Sequence, residues 1–208
     1  MLIDRNLPGL SANFVGVDDE AVGMLATRHL IDIGCRRIAH IRGPETSPGI
    51  RRVEGYKRAL TQTGLKVIDD YIIQEPKGDV ETRQRGAEAM RQLLNLKPRP
   101  DGVFCFNDPM AMGAMNYALD QGVRIPEDIA VIGCGNLHYD DALSVPLSSI
   151  NQHSRQIGQE AGRIALGILN SKIPPRPESV VLQPELIVRR STQRAGTRTV
   201  PSRAKTRA

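Results

Sequence analysis

The sequence predicts an α/β fold, a doubly wound parallel sheet, on three observations. Strand-like segments recur near residues 37, 71, 102 and 129, and a helical segment lies between each pair. That spacing suits the crossover units of a parallel sheet. "GVFCF" (102–106) and "DIAVIG" (128–133) are unbroken or nearly unbroken apolar runs, as strands covered on both faces require.

The elements follow in order. Residues 18–33, "DDEAVGMLATRHLIDI", place Val22, Leu25, Ala26, Leu30 and Ile33 on one helical face, open with acids and stop at Gly34. "RRIAHI" (36–41) reads as a strand ended by Gly43-Pro44. "RRVEGYKRALTQTG" (51–64) is a helix with Val53, Tyr56 and Leu60 inward and Gly64 past its end. "YIIQ" is a short strand, and a helix runs from about Glu81 to Leu96 before the stop "PRP". The strand "GVFCF" leads to a helix from Pro109 to Gln121, closed by Gly122, and then to "DIAVIG". After an irregular stretch, "SSI" precedes a helix from about Ser154 to Asn170, and "SVVLQPELIVR" closes the fold as a broken strand.

Composition bounds the function. At 208 residues and 40% hydrophobic, the chain has material for a core. Aromatics are only 3% and Trp is absent, so stacking platforms for bases or sugar rings are scarce. The net charge of +5 is local: seven basic residues and no acid lie from Arg189 onward, leaving 21 basic against 23 acidic elsewhere. The last residues, 193–208, are poor in large apolar side chains and are expected to form a disordered basic tail. Cys35, Cys105 and Cys134 are odd in number and widely spaced, which indicates neither a disulfide framework nor a zinc site and fits a reducing cytosol. No export leader and no membrane-spanning run is read, so a cytoplasmic chain with no membrane partner is expected.

In a parallel sheet the strand-to-helix loops emerge on one edge, outside the carboxyl ends of the strands, and ligands sit there. That edge collects Arg42-Gly43-Pro44, Gln74-Glu75, Asn107-Asp108 and Gly133-Cys134-Gly135-Asn136. Proline is favoured at the first helical position, so Pro109 makes Asp108 the expected helix cap at the cleft. Asn107 then has no capping role and can offer a donor and an acceptor to a polar ligand, or none. Arg51 and Arg52 stand at the predicted start of a helix, where the dipole disfavours cations. Either a ligand wants one of them there or both are solvated. "HYDD" (138–141) is one His with adjacent acids and lacks a geometric partner for a metal. No nucleophile elbow, P-loop or H-E-x-x-H occurs, and "VIGCGNLH" lacks the third glycine of a dinucleotide fingerprint. No metal, cofactor or enzymatic activity is expected.

Six segments, "VGVDDEAVGMLATRHLIDIGCRRIAHIRGP", "RRVEGYKRAL", "PDGVFCFNDPMAMGAM", "GVRIPEDIAVIG", "PLSSINQ" and "PELIVRRST", lie in order. Together they resemble the effector-binding region of the lactose-repressor/galactose-repressor (LacI/GalR) family of transcription regulators, from residue 1 to about 192. The resemblance implies a type I periplasmic-binding-protein-like body of two subdomains. Residues 17–150 and 181–192 would form the C-terminal one, and 1–16 and 152–180 part of the N-terminal one. It implies a small sugar or nucleobase derivative as effector, a homodimer, and operator DNA bound through a helix-turn-helix that this sequence does not contain. By the same resemblance Arg52 and Asn107 fall at effector contacts, Asp4 and Gln152 at cleft-facing positions, and Met112 on the dimer-interface helix. Glycine stands where the family usually has the first aspartate of "GFDD", which removes a charge-assisted hydrogen bond worth roughly 1.5–3 kcal/mol. A transporter's solute-binding protein for a sugar is the alternative on the same body.

Overall fold

The computed structural model describes residues 1–7, 9–74, 81–172 and 176–194. Two sheets organise them. The larger is built from β3 (Ile38–Ile41), β4 (Ile72–Ile73), β5 (Gly102–Cys105), β6 (Ala130–Cys134), β7 (Ser148–Asn151) and β9 (Glu185–Ile187), in the order β4-β3-β5-β6-β7-β9. All its pairings are parallel except β7 with β9. The smaller sheet sets β2 (Phe14–Val17) between β1 (Leu2–Ile3) and β8 (Ser179–Leu182), all parallel.

Alternate side chains of the large sheet point to opposite faces, and each face receives a pair of helices. Val103, Cys105 and Val131 pack with Met90 and Leu93 of α3 (Thr82–Asn95) and with Met110, Ala114 and Met115 of α4 (Asp108–Asp120). Ile38, Phe104 and Ile132 pack with Val22 and Leu30 of α1 (Asp19–Asp32) and Tyr56 and Leu60 of α2 (Ser47–Gln62). The remaining helix, α5 (Ser154–Leu169), sets Ile157, Ala161 and Ile164 against Val15 of the small sheet.

Both helix pairs approach closely through glycines. A Cβ on Gly23 would stand 2.1 Å from the Arg52 carbonyl oxygen, and one on Gly55 2.1 Å from that of Glu20. In the second pair, a Cβ on Gly86 would lie 2.0 Å from Met110 O, and one on Gly113 1.9 Å from Arg83 O. Only a residue without Cβ permits such helix contact. The first pair is what brings Arg52 down to the sheet edge.

Several boundaries differ from the sequence reading. Helix α2 starts at Ser47 rather than 51, with proline in its first turn, where its missing N–H costs nothing. β1 and β2 were not read as strands, and "SVVLQPELIVR" divides at Gln183-Pro184 into strands of two different sheets. Residues 193 and 194 continue the ordered chain, since Arg194 Nε and Nη2 donate to Pro126 O and Asp101 O at 3.0 and 2.7 Å. Glu75 and the rest of the expected tail, 195–208, lie outside the described residues.

His40 of β3 is fully buried, stacked 4.5 Å from the Phe104 ring, with Nδ1 at 2.9 Å from Phe104 O. Nδ1–H donates there, and Nε2 has no hydrogen-bond partner among the described residues. Burial therefore lowers the imidazole from its ordinary 6.5 to about 3. Above pH 6.5 both folded and unfolded chains hold this ring neutral. Below it, only the unfolded chain takes up the proton, so this contribution is lost as pH falls from 6.5 to 3, by at most about 5 kcal/mol. A His40→Phe variant, followed by urea unfolding across that range, is expected to show a pH dependence shallower by up to one proton.

Candidate functional site

The carboxyl ends of both sheets converge on one side chain. Arg52 is only 3% exposed, and each of its three guanidinium nitrogens is engaged. Nε donates to Asp19 Oδ1 at 2.8 Å, Nη1 to Phe106 O at 2.7 Å and Nη2 to Gln152 Oε1 at 2.7 Å. Asp19 opens α1 directly after β2, Phe106 follows β5 and Gln152 follows β7. The guanidinium also lies 4.6 Å above the Phe106 ring, a favourable cation–π distance. The same ring also packs on Gly43, where a Cβ would stand 2.5 Å from its Cγ.

The electrostatics follow from burial. Burial opposes the charge of Arg52, and the neighbouring Cys134, Asp19 and Asp4 outweigh it, so its pKa is raised. Burial likewise pushes the Asp19 carboxyl up, with Arg52 pulling against it. Because α2 begins at Ser47, Arg52 sits beyond the first turn, and the helix-dipole reading of it falls away. The buried pair with Asp19 is the reason for a cation there. Arg51 instead meets Glu20 and Glu54 on the surface.

The expected cap is corrected. Asn107, not Asp108, is the N-cap of α4, in extended conformation with its Oδ1 accepting from Met110 N at 2.9 Å. Pro109 is tolerated at the second position as well as the first, because neither N–H has an intrahelical acceptor. Asp108 is freed to turn inward. It is fully buried, accepts from Ser149 Oγ–H at 2.7 Å and from Leu137 N–H at 3.2 Å. Asn107 thus has a structural task that the sequence reading denied it. Its Nδ2 has no protein partner among the described residues.

Asp4 stands at the end of β1 in the left-handed region, φ 65°, half-buried, with its N–H on Val15 O at 2.9 Å. Its carboxylate has no hydrogen bond among the described residues, and its charge is felt by Arg52, Asp19 and Cys134. Arg52, Gln152 and the residue before Asn107 are therefore joined directly, and Asp4 through the field. Beside them opens a concavity of about 380 Å³ bounded by Gly135–His138, Asn151, His153–Gln156 and Gln159. The four candidate contact residues are not among those walls. Gly135 is held at φ +141°, and a Cβ there would lie 2.7 Å from Asp108 Oδ2. The inward turn of Asp108 thus excludes a side chain at 135.

Residues 27–192 match the family described as periplasmic binding protein-like domain. The chain is 36% identical over 172 residues to the HTH-type transcriptional repressor PurR of Pasteurella multocida (strain Pm70), covering 82% of this chain and 50% of that protein. The chain belongs to the LacI/GalR family. The HTH-type transcriptional repressor CytR of Escherichia coli (strain K12) is 36% identical over 187 residues, 89% of this chain and 53% of that one. Among solved structures, a transcriptional regulator CelR–cellobiose complex superposes with a TM-score of 0.83 at 32% identity, covering 91% of this chain and 57% of that chain. A LacI-family regulatory protein from Chloroflexus aggregans gives 0.81 at 32%, covering 90% and 66%. The chain spans about half the length of the curated relatives it matches.

As a LacI/GalR-family effector-binding domain the chain has the α/β, parallel-rich architecture read from its sequence. Met112 is half-buried on α4 and stands apart from the core clusters, whereas Met110 and Met115 are in the core. Among the described residues no helix is long and apolar enough to cross a membrane, and no group of three or more His, Cys, Asp or Glu could hold a metal.

Proposed function

We propose that this chain is the effector-sensing and dimerising region of a bacterial DNA-binding transcription regulator. It is cytoplasmic and has no catalytic role. A small sugar-like or nucleobase-like effector enters between the carboxyl ends of the two sheets, which act as the walls of two subdomains. Operator DNA is bound by a helix-turn-helix elsewhere in the parent protein, and α4, carrying Met112, meets its counterpart in a homodimer.

One observation carries the reading. Arg52 gathers groups from the ends of β2, β5 and β7, while Asp4, Asn107 and Gln152 at the same rim keep polar atoms that have no hydrogen-bond partner among the described residues. Such a set supplies one anionic acceptor and two amide donors to a neutral polyhydroxyl or heterocyclic ligand. The relatives named as transcriptional repressors support the regulatory assignment.

The test is a thermal-shift panel of mono- and disaccharides, nucleobases and nucleosides on the 208-residue chain and on an Asn107→Ser variant. Serine retains an N-cap oxygen for Met110 N but removes the amide donor. One ligand class is expected to raise the midpoint, by the equivalent of about 2.7 kcal/mol at a hundredfold excess over Kd. Asn107→Ser should weaken that ligand at least tenfold. A flat panel, or equal binding by the variant, argues against the site.

A further inference from the structure

One residue in the wall of the concavity is fixed from two directions. Asn136 follows β6 in the left-handed region, φ 51°, a conformation that asparagine tolerates better than most side chains. Its backbone N–H donates to Ser149 Oγ at 2.9 Å, and that hydroxyl donates to Oδ1 of the fully buried Asp108 at 2.7 Å. The main chain at 136 is thereby anchored to both β7 and α4.

The side chain is anchored as well. Arg189 Nη2 donates to Asn136 Oδ1 at 2.8 Å. That guanidinium is itself held, with Nη1 on Leu147 O at 2.9 Å and Nε paired with Asp141. A guanidinium only donates, so the atom facing it is the amide oxygen and the NH2 group turns away. Asn136 Nδ2 has no hydrogen-bond partner among the described residues and is not one of their buried atoms. Asn136 bounds the concavity together with Asn151 and His153. Gln152 of the candidate rim lies between those two in the chain, so concavity and rim share a border.

We propose, building on the effector-sensing role, that Asn136 is a further ligand-binding residue of this site. Its amide hydrogens are offered to an acceptor atom of the effector: a carbonyl oxygen, a ring nitrogen or a hydroxyl oxygen. Arg189, Ser149 and Asp108 are positioning residues that act through it.

The anchoring matters for affinity. Because Oδ1 is tied to Arg189 and the backbone to Ser149, the side chain is ordered before a ligand arrives, and its rotamer freedom is not lost again on binding. Specificity follows from the same geometry. With glycine at 135, Asn136 is the first polar side chain after β6, and what it has left to present is a donor. This stretch of wall therefore selects for lone pairs on the ligand rather than for hydroxyl hydrogens.

Asn136→Asp separates binding from structure. Aspartate tolerates the left-handed backbone and gives Arg189 an oxygen acceptor, but it has no hydrogen to donate and sets a negative charge against the ligand's lone pairs. Glucose, cellobiose, guanine and adenosine are the probes, titrated calorimetrically into the wild type and the variant. A probe bound by the wild type is expected to bind Asn136→Asp about tenfold or more weakly, while the unfolding midpoint of the ligand-free variant stays within about 2 °C of the wild type. A purely structural residue would leave the affinity unchanged. Equal affinity overturns the role of Asn136, and if Asn107→Ser weakens the same probe the effector reading stands without it. Failure of every probe to bind the wild type overturns both. Should the variant not fold, the side-chain amide signals of the wild type decide. Asn136 NH2 resonances that shift on saturation with a bound probe support the contact, and resonances that stay in place overturn it.

Discussion

Replacing Arg52 by methionine lowers the stability of the folded chain by about 3–5 kcal/mol, the cost of leaving a buried charge without its partner. The stranded group is Asp19, 8% exposed, and Phe106 O and Gln152 Oε1 lose their donors with it. Methionine keeps most of the side-chain volume, so the loss is electrostatic rather than steric. Removing both charges, in Arg52→Met/Asp19→Leu, should recover a large part of that stability, because an apolar pair leaves no uncompensated charge. Urea unfolding of the two single variants and the double variant gives the coupling. A loss under about 1 kcal/mol for Arg52→Met would put this arginine in the class of exposed ion pairs.

The second large effect is steric. Gly113→Ala places a Cβ 1.9 Å from Arg83 O, and the obstacle is backbone, which cannot rotate aside. Helices α3 and α4 must separate, at about 3 kcal/mol, the upper part of the range for overpacking. The same substitution on α5 has the opposite sign. Gly158 and Gly162 have open space where a Cβ would stand, and alanine there removes backbone entropy from the unfolded chain, adding roughly 0.4–1 kcal/mol each. Thermal unfolding of the three variants separates close approach from propensity. Equal effects at all three positions would show that α3 and α4 are not held together by that glycine.

Much of this architecture is readable from sequence because the large sheet is covered on both faces. The strands within "GVFCF" and "DIAVIG" are buried along their whole length, and the helices between them carry one apolar stripe each. The small sheet escaped because its cues are weak: β1 has two residues, and β2 is "FVGV", a strand with a glycine inside it. "SVVL" and "ELI" look like one interrupted strand, and only the tertiary arrangement sends them to different sheets, one pairing parallel and the other antiparallel.

The candidate site was readable in part. Following strands to their carboxyl ends selected Asn107, but the proline rule assigned the cap to the wrong neighbour, since proline fits two positions of a first turn. The sequence placed Arg52 at a helix start, and its partners lie 33, 54 and 100 residues away, beyond any local pattern. Asp140 was seen only as part of "HYDD" and weighed as a metal ligand. In the structure it is fully buried, and no spacing in the sequence marks that.

Asp4, Arg52, Asn107 and Gln152 meeting at one rim is the claim on which the functional reading stands. A crystal structure of the chain with a sugar or nucleobase selected from the thermal-shift panel tests it most directly. The account predicts polar ligand atoms within hydrogen-bond distance of Asn107 Nδ2 and of Asp4 or Gln152, with Arg52 at the floor. A ligand held wholly between Leu137 and Gln159, touching none of the four, would contradict it.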